Sequence, residues 1–291
     1  MAAIVAPFPA LPLELVRDIF EHAACSSRPA ARALALVNHT TRSWTDPVLY
    51  RTVVLDSARA LRAFSCAIAT KPADFLPRHL KHLGIFAPGP LPTIYHVLAA
   101  CAHAGLASLA CGFALPALAP HEPRAPIALP RLREHHLLGA ACRDPSDWDP
   151  SALSPALTHL RIHITASNWS PARLAGLRRL PSLTHLAVVY RQSDGCFAFI
   201  LSLLRDILDA LPLRLLLVQV VGRPRGACLV ERLNQVAVEK LGERRLVAEA
   251  APFSTVRQWE DASRGGVSMW TRAEQEAERR RADAPGVAGR R

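Results

Sequence analysis

Lysine is nearly missing from this chain: Lys71, Lys81 and Lys240 are its only examples, against a combined Lys and Arg count of 35 in 291 residues. The net charge of +11 is therefore carried by arginine, and the arginines interleave with Asp and Glu from 205 to 245 and again from 271 to 291. No concentrated basic stripe forms, which argues against nucleic acid as the partner even though a basic balance favours acidic ones. The seven cysteines, Cys25, Cys66, Cys101, Cys111, Cys142, Cys196 and Cys228, include no CxxC pair. Their wide spacing reads as reduced core thiols of an intracellular protein.

Catalytic templates are missing too. His121-Glu122 is followed by Pro rather than by a second His one helical turn on, and there is neither a GxSxG elbow nor a phosphate-cradling GxxxxGK. Asp144, Asp147 and Asp149 in RDPSDWDP lack the Gly and distal Glu of a calcium loop and read as turn residues. The expectation is a chain with no enzymatic activity, no metal and no cofactor. An apolar start without Arg or Lys, followed early by Glu14, does not fit a signal peptide. Residues 93 to 120 carry no charge and are long enough to span a bilayer, but His96, His103, Gly105 and Pro116 oppose a membrane span. The expected location is cytoplasmic and/or nuclear.

Residues 11 to 55 carry the clearest local pattern. Pro12 suits a first helical turn, and Glu14 complements the positive end of the helix dipole. Leu15, Ile19 and Ala23 recur every four residues with Val16 and Phe20 beside them, an apolar stripe over Arg17, Asp18 and Glu21. A second helix with Ala30, Leu34 and Val37 follows. Thr40 or Thr41 is placed to cap a third, bearing Trp44, Val48 and Leu49 and broken or kinked at Asp46-Pro47. Each is too short to be stable alone, so the three must share a core. Thr52 to Leu55 then turns strand-like.

Leu11-Pro12, Glu14-Leu15, Ile19-Phe20, Leu34, Val37, Trp44 and the closing Leu49-Tyr50-Arg51-Thr52-Val53 together resemble an F-box, most closely those of mushroom-type fungal families. The resemblance covers about 45 residues. It departs from the pattern at Asn38, where many F-boxes have Cys, and in the Ala-rich segment around Cys25. It implies a helical domain that binds a Skp-type adaptor, and through it a cullin, using Leu11, Pro12, Leu15, Ile19, Phe20, Leu34, Val37 and Trp44.

Beyond residue 75 a Leu-x-x-Leu-x-apolar pattern begins at Leu80, Leu106, Leu132 (degraded), Leu157, Leu183 and Leu213, at intervals of 26, 26, 25, 26 and 30 residues. A further strand is expected near Arg245 to Glu249. These spacings resemble leucine-rich repeats, although the Asn that usually closes the strand turn is replaced by Pro88, Ala114, Thr165 and Arg191. The expected fold class is α/β: a three-helix F-box (1–55) followed by an irregular leucine-rich-repeat solenoid (56–251), a C-terminal cap (252–273) and a disordered tail (274–291). A different layered α/β fold is the competing arrangement.

Strand side chains alternate. With the leucines inward, His82, His159, Arg161, His163 and His185 form a row on an open face, the expected substrate-binding residues, with imidazoles near their ordinary pKa of roughly 6.5. His159 and His163 lie roughly 13 Å apart along one strand and cannot share an ion. The function these readings imply is a substrate-recognition adaptor of an SCF-type cullin ubiquitin ligase, with an unknown protein as substrate. The alternative is a repeat-based protein-binding scaffold unconnected to ubiquitin ligation.

Overall fold

The computed structural model describes residues 11–113, 127, 129–138, 150, 153–191, 193, 195–222, 225–239 and 241–283. Asp144, Asp147, Asp149, Cys142 and Lys240 lie outside them.

Three helices open the chain: α1 (Leu13–Ser26), α2 (Arg28–Ala35) and α3 (His39–Arg51). Ser27 caps α2 by accepting from the Ala30 amide, with Pro29 in the first turn where its missing N–H costs nothing. Asn38, rather than either threonine, caps α3, and Thr41 answers it to complete a capping box. The helix runs through Pro47 without ending. Small side chains fill the space between the three: Ala24, Ala31, Thr41 and Thr45 are buried, and the Thr45 hydroxyl donates to the Thr41 carbonyl at 2.9 Å.

From Arg51 the chain passes straight into β1 (Thr52–Leu55), the edge of an eight-stranded, all-parallel sheet in the order of the sequence. The other strands are β2 (His82–Ile85), β3 (Ser108–Cys111), β4 (Glu134–Leu137), β5 (His159–His163), β6 (His185–Arg191), β7 (Leu215–Val221) and β8 (Leu246–Ala250). The leucine pattern marks their positions, and residues at equal places in the pattern pair, as in Leu160↔Leu186↔Leu216. Helices between strands, α4 (Ala58–Ala69), α5 (Phe75–His79), α6 (Leu91–Ala102), α7 (Pro171–Leu177), α8 (Phe197–Ala210) and α9 (Arg225–Glu239), send Leu61, Leu76, Val97, Leu177, Leu203 and Leu233 into one continuous core with those leucines.

The opposite face is covered as well. On it, α10 (Thr255–Ser263) places Trp259 against Val54 and Ala110. Helix α11 (Met269–Ala282) places Met269, Trp270, Ala273 and Ala277 against Ala187, Leu215, Leu217 and Val247. The molecule is thus an α/β fold in three layers. This corrects the expectation of a three-helix F-box followed by an irregular leucine-rich-repeat solenoid: the finding is one all-parallel sheet alternating with helices. The physical reason is written in β1 (TVVL), β6 (HLAVVYR) and β7 (LLLVQVV), whose near-continuous apolar runs require burial on both faces.

Two further expectations change. Residues 252–273 do not simply close the end of a stack; they lie across the sheet. The tail, expected to lose structure from Glu274, continues as helix to Ala282 with Ala277 buried, and of this tail residues 284–291 lie outside the described residues. Among the described residues no helix is long and apolar enough to cross a membrane.

Gly84 in β2 shows how closely α10 approaches, since a Cβ built there would lie 2.7 Å from the Trp259 ring and 2.8 Å from the Phe86 ring. Gly84→Ala should therefore cost about 1–3 kcal/mol through overpacking. Gly226→Ala in α9, where the nearest atom to the added carbon is 3.7 Å away, should leave stability unchanged or raise it. Urea denaturation of both variants checks this.

Candidate functional site

Two surfaces gather the residues singled out from the sequence. The first is the outer face of the N-terminal helices. Leu11, Leu15 and Ile19, spaced four apart, stand in solvent with Val37, and Pro12 is exposed beside them. Phe20, Leu34 and Trp44 are half-buried, the Phe20 and Trp44 rings meeting edge to face at 6.1 Å. Leu13 and Leu36 are exposed as well, 63% and 86%, although neither was expected to take part. Ala24, Ala31, Thr41 and Thr45 are the trio's fully buried side chains, while Leu13, Leu15 and Ile19 are left outside.

This patch is held firmly against the sheet-bearing body. Lys71 pairs with Asp46 of α3, and its ammonium sits 5.0 Å from the Tyr50 ring and 4.7 Å from the Phe75 ring. Tyr50 packs edge to face on Phe75 at 5.0 Å. Arg28 of α2 reaches Glu260 of α10 at 3.5 Å.

The second surface is the row on the sheet. Its register is as expected, Glu134↔His159↔His185 across β4, β5 and β6, with the leucines on the other face. It is not open. Arg161 is fully buried, His163 and His185 are buried, and His82 and His159 are half-buried. The cover is α10 and α11: Trp270 Nε1 donates to Glu134 Oε1 at 2.7 Å, Trp259 Nε1 donates to Ser108 Oγ at 2.8 Å, and Arg161 Nη1 donates to Gln258 Oε1 at 3.2 Å. His185 Nε2 lies 2.9 Å from Glu274 Oε1. The expected substrate row is therefore an internal docking surface for the C-terminal helices.

Its electrostatics follow from that cover. The His159 and His185 rings stack at 4.2 Å, and Trp270 stands edge-on to both. Burial, with His185 close by, pushes His159 down to about 4 instead of its ordinary 6.5. Burial lowers Arg161 to about 10. At Glu134 burial acts to raise the carboxyl, but the neighbouring His136 and hydrogen bonds from His136 and Trp270 prevail and hold it at about 2. His136 Nε2 lies 2.7 Å from the same oxygen. Arg161 Nε and Nη2 and His136 Nδ1 have no hydrogen-bond partner among the described residues. The layer is thus anionic at Glu134 and uncharged at His159 near neutral pH, and it holds α10 and α11 against the sheet.

No family model matches this chain, and no curated protein or solved structure matches it either.

Between pH 6.5 and about 4 the unfolded chain binds a proton at His159 that the folded chain excludes. Stability should therefore fall as pH drops through this window, and His159→Asn should flatten that dependence. Denaturation midpoints at pH 7, 6 and 5 measure it; a midpoint that rises on acidification would show His159 to be charged and open. Glu134→Gln, which weakens the acceptor for Trp270, should cost about 1–3 kcal/mol.

Proposed function

We propose that this chain is the substrate-recognition subunit of an SCF-type cullin ubiquitin ligase. Its N-terminal helices hold a Skp-type adaptor, and its sheet-bearing body holds a protein substrate. The observation that carries this reading is the exposure of Leu11, Leu15, Ile19 and Val37 in the N-terminal helical segment. Leu15 and Ile19 stand one turn apart on α1 and share a helix face; an exposed apolar face marks a surface that a partner covers, and this one lies in the segment whose sequence resembles an F-box. The bracing of α3 by Lys71 supports it further, because a receptor must hold adaptor and substrate in a fixed relation. Proximity is then the whole contribution: the chain raises the effective concentration of substrate lysines near the conjugating enzyme, and the bond-forming steps belong to other subunits.

The cytoplasm and/or nucleus is the proposed place of action. Cys25, Cys66, Cys196 and Cys228 are free and exposed, which corrects their reading as core thiols and suits a reducing compartment; Cys101 and Cys111 are buried.

Co-purification with a Skp-type adaptor tests the reading. Burial of a Leu side chain contributes about 1.5–3 kcal/mol, so Leu15→Ala with Ile19→Ala should weaken capture at least about tenfold, and Leu11→Ala with Pro12→Ala should weaken it too. Folding should be kept, since these side chains are already exposed. Undiminished capture would move the interface elsewhere, and no capture by the unaltered chain would favour a binding scaffold without ligase.

Lysine chemistry gives a second check. With Lys71 held by Asp46 and two rings, self-ubiquitination in a reconstituted ligase should fall on Lys81 and Lys240, and mass spectrometry of the modified chain should find Lys71 unmodified. Ubiquitin mainly on Lys71 would contradict the bracing.

A further inference from the structure

Beneath the second half of α11, where β6, β7 and β8 begin, lies a cavity of about 590 Å³. Its floor is fixed by Arg245, whose Nε donates to Glu243 Oε2 at 2.7 Å and whose Nη1 and Nη2 donate to the Leu213 and Leu208 carbonyls at 3.1 and 3.3 Å. The His185 and Glu274 pair forms one wall. Three further guanidiniums line it from separate elements: Arg214 just before β7, Arg244 just before β8, and Arg281 in the last turn of α11. All three are exposed, and none has a hydrogen-bond or ion-pair partner among the described residues. The remaining carboxylate in the lining, Glu278, is also unpaired.

We infer that this cavity is an anion site for a phosphate monoester, held by Arg214, Arg244 and Arg281. Before His185 is counted, the lining's four arginines (Arg214, Arg244, Arg245 and Arg281) and three carboxylates (Glu243, Glu274 and Glu278) leave one net positive charge, and the three guanidiniums without a partner are the part of it that an anion can engage. Guanidinium forks pair with phosphate oxygens through two parallel hydrogen bonds, stronger and more directional than an ammonium contact. The cavity is also larger than one phosphate, so the group arrives attached to something. Two sources share this chemistry: a phosphorylated side chain of a protein partner, and a free small phosphate ester. In either case the ligand joins Arg281 on α11 to Arg214 and Arg244 at the sheet and holds that helix down. The inference concerns the body of the chain alone, so its failure leaves adaptor capture by the N-terminal helices untouched.

Calorimetric titration of the full chain decides it, using inorganic phosphate, glycerol 3-phosphate, a terminally blocked Ala-Ala-phosphoserine-Ala-Ala peptide and its unphosphorylated counterpart. Dissociation constants on the order of 0.1–1 mM are expected for the phosphate probes that bind. The triple variant Arg214→Gln, Arg244→Gln, Arg281→Gln should lose at least about tenfold in affinity. A charge-matched triple variant on other surfaces, Arg59→Gln, Arg62→Gln, Arg178→Gln, should lose less than about twofold. Arg244→Lys keeps the charge without the fork and should lose severalfold; it also serves if the triple variant does not fold. Phosphopeptide binding at least about tenfold tighter than that of the small esters assigns the site to a phosphorylated partner, and equal or tighter binding of glycerol 3-phosphate assigns it to a free ester. The inference is overturned by no binding of any phosphate probe, by binding that survives the pocket substitutions, or by equal loss in the two triple variants.

Discussion

A parallel sheet whose strands follow one another in sequence order must solve one problem before anything else: both of its faces need cover. Parallel neighbours require crossover connections, so the chain supplies a helical layer merely by advancing from strand to strand. Here those crossovers build one continuous core, with Leu61, Val97, Leu203 and Leu233 on the leucines of the strands. The same topology brings nothing to the other face. Only a segment from outside the strand and helix alternation can cover it, and α10 and α11 are that segment. The polar row beneath them is settled by pairing rather than by exposure: Trp259 and Trp270 each bury an aromatic body and donate an indole N–H to Ser108 and Glu134.

Much of this was legible from residue order alone. The leucine spacing located β2 to β7, and the alternation within each strand separated inward leucines from the His and Arg row. The second cover was harder to see. Helix α11 docks through Met269, Trp270 and the small side chains Ala273 and Ala277, so its sequence EQEAERRRA carries too little apolar volume to stand out from a solvated tail. Alanine at a close contact buries little area but permits close approach, and composition registers only the first of these. The hint that was present lay in the sheet itself, where LAVVY and LLLVQVV are apolar at positions that a one-sided sheet leaves polar.

The N-terminal helices invert the usual distribution of side-chain size. Their fully buried residues are Ala24, Ala31, Thr41 and Thr45; Val16, Leu34, Val48 and Leu49 are half-buried, and Leu13, Leu15 and Ile19 face water. Periodicity finds the stripe but not its direction, because an apolar stripe of that width serves a core and a partner equally well. Burial gives the direction: Ala24 and Ala31 lie inside, and Leu15 and Ile19 stand in water.

The contacts of α10 also order events during synthesis. Thr52 Oγ1 donates to the Ser263 carbonyl across 211 residues, and Trp259 meets Ser108 across 151. A ribosome emits β1 to β3 long before the helix that shields them, so Val54, Ala110 and the aromatic ring of Phe86 stay uncovered while most of the sheet is being made. The nascent chain can lay down its crossover layer strand by strand, but it cannot seal. A cell that makes this protein must keep that unfinished face away from other chains until the last two described helices emerge, and a product shortened before residue 255 would carry it permanently.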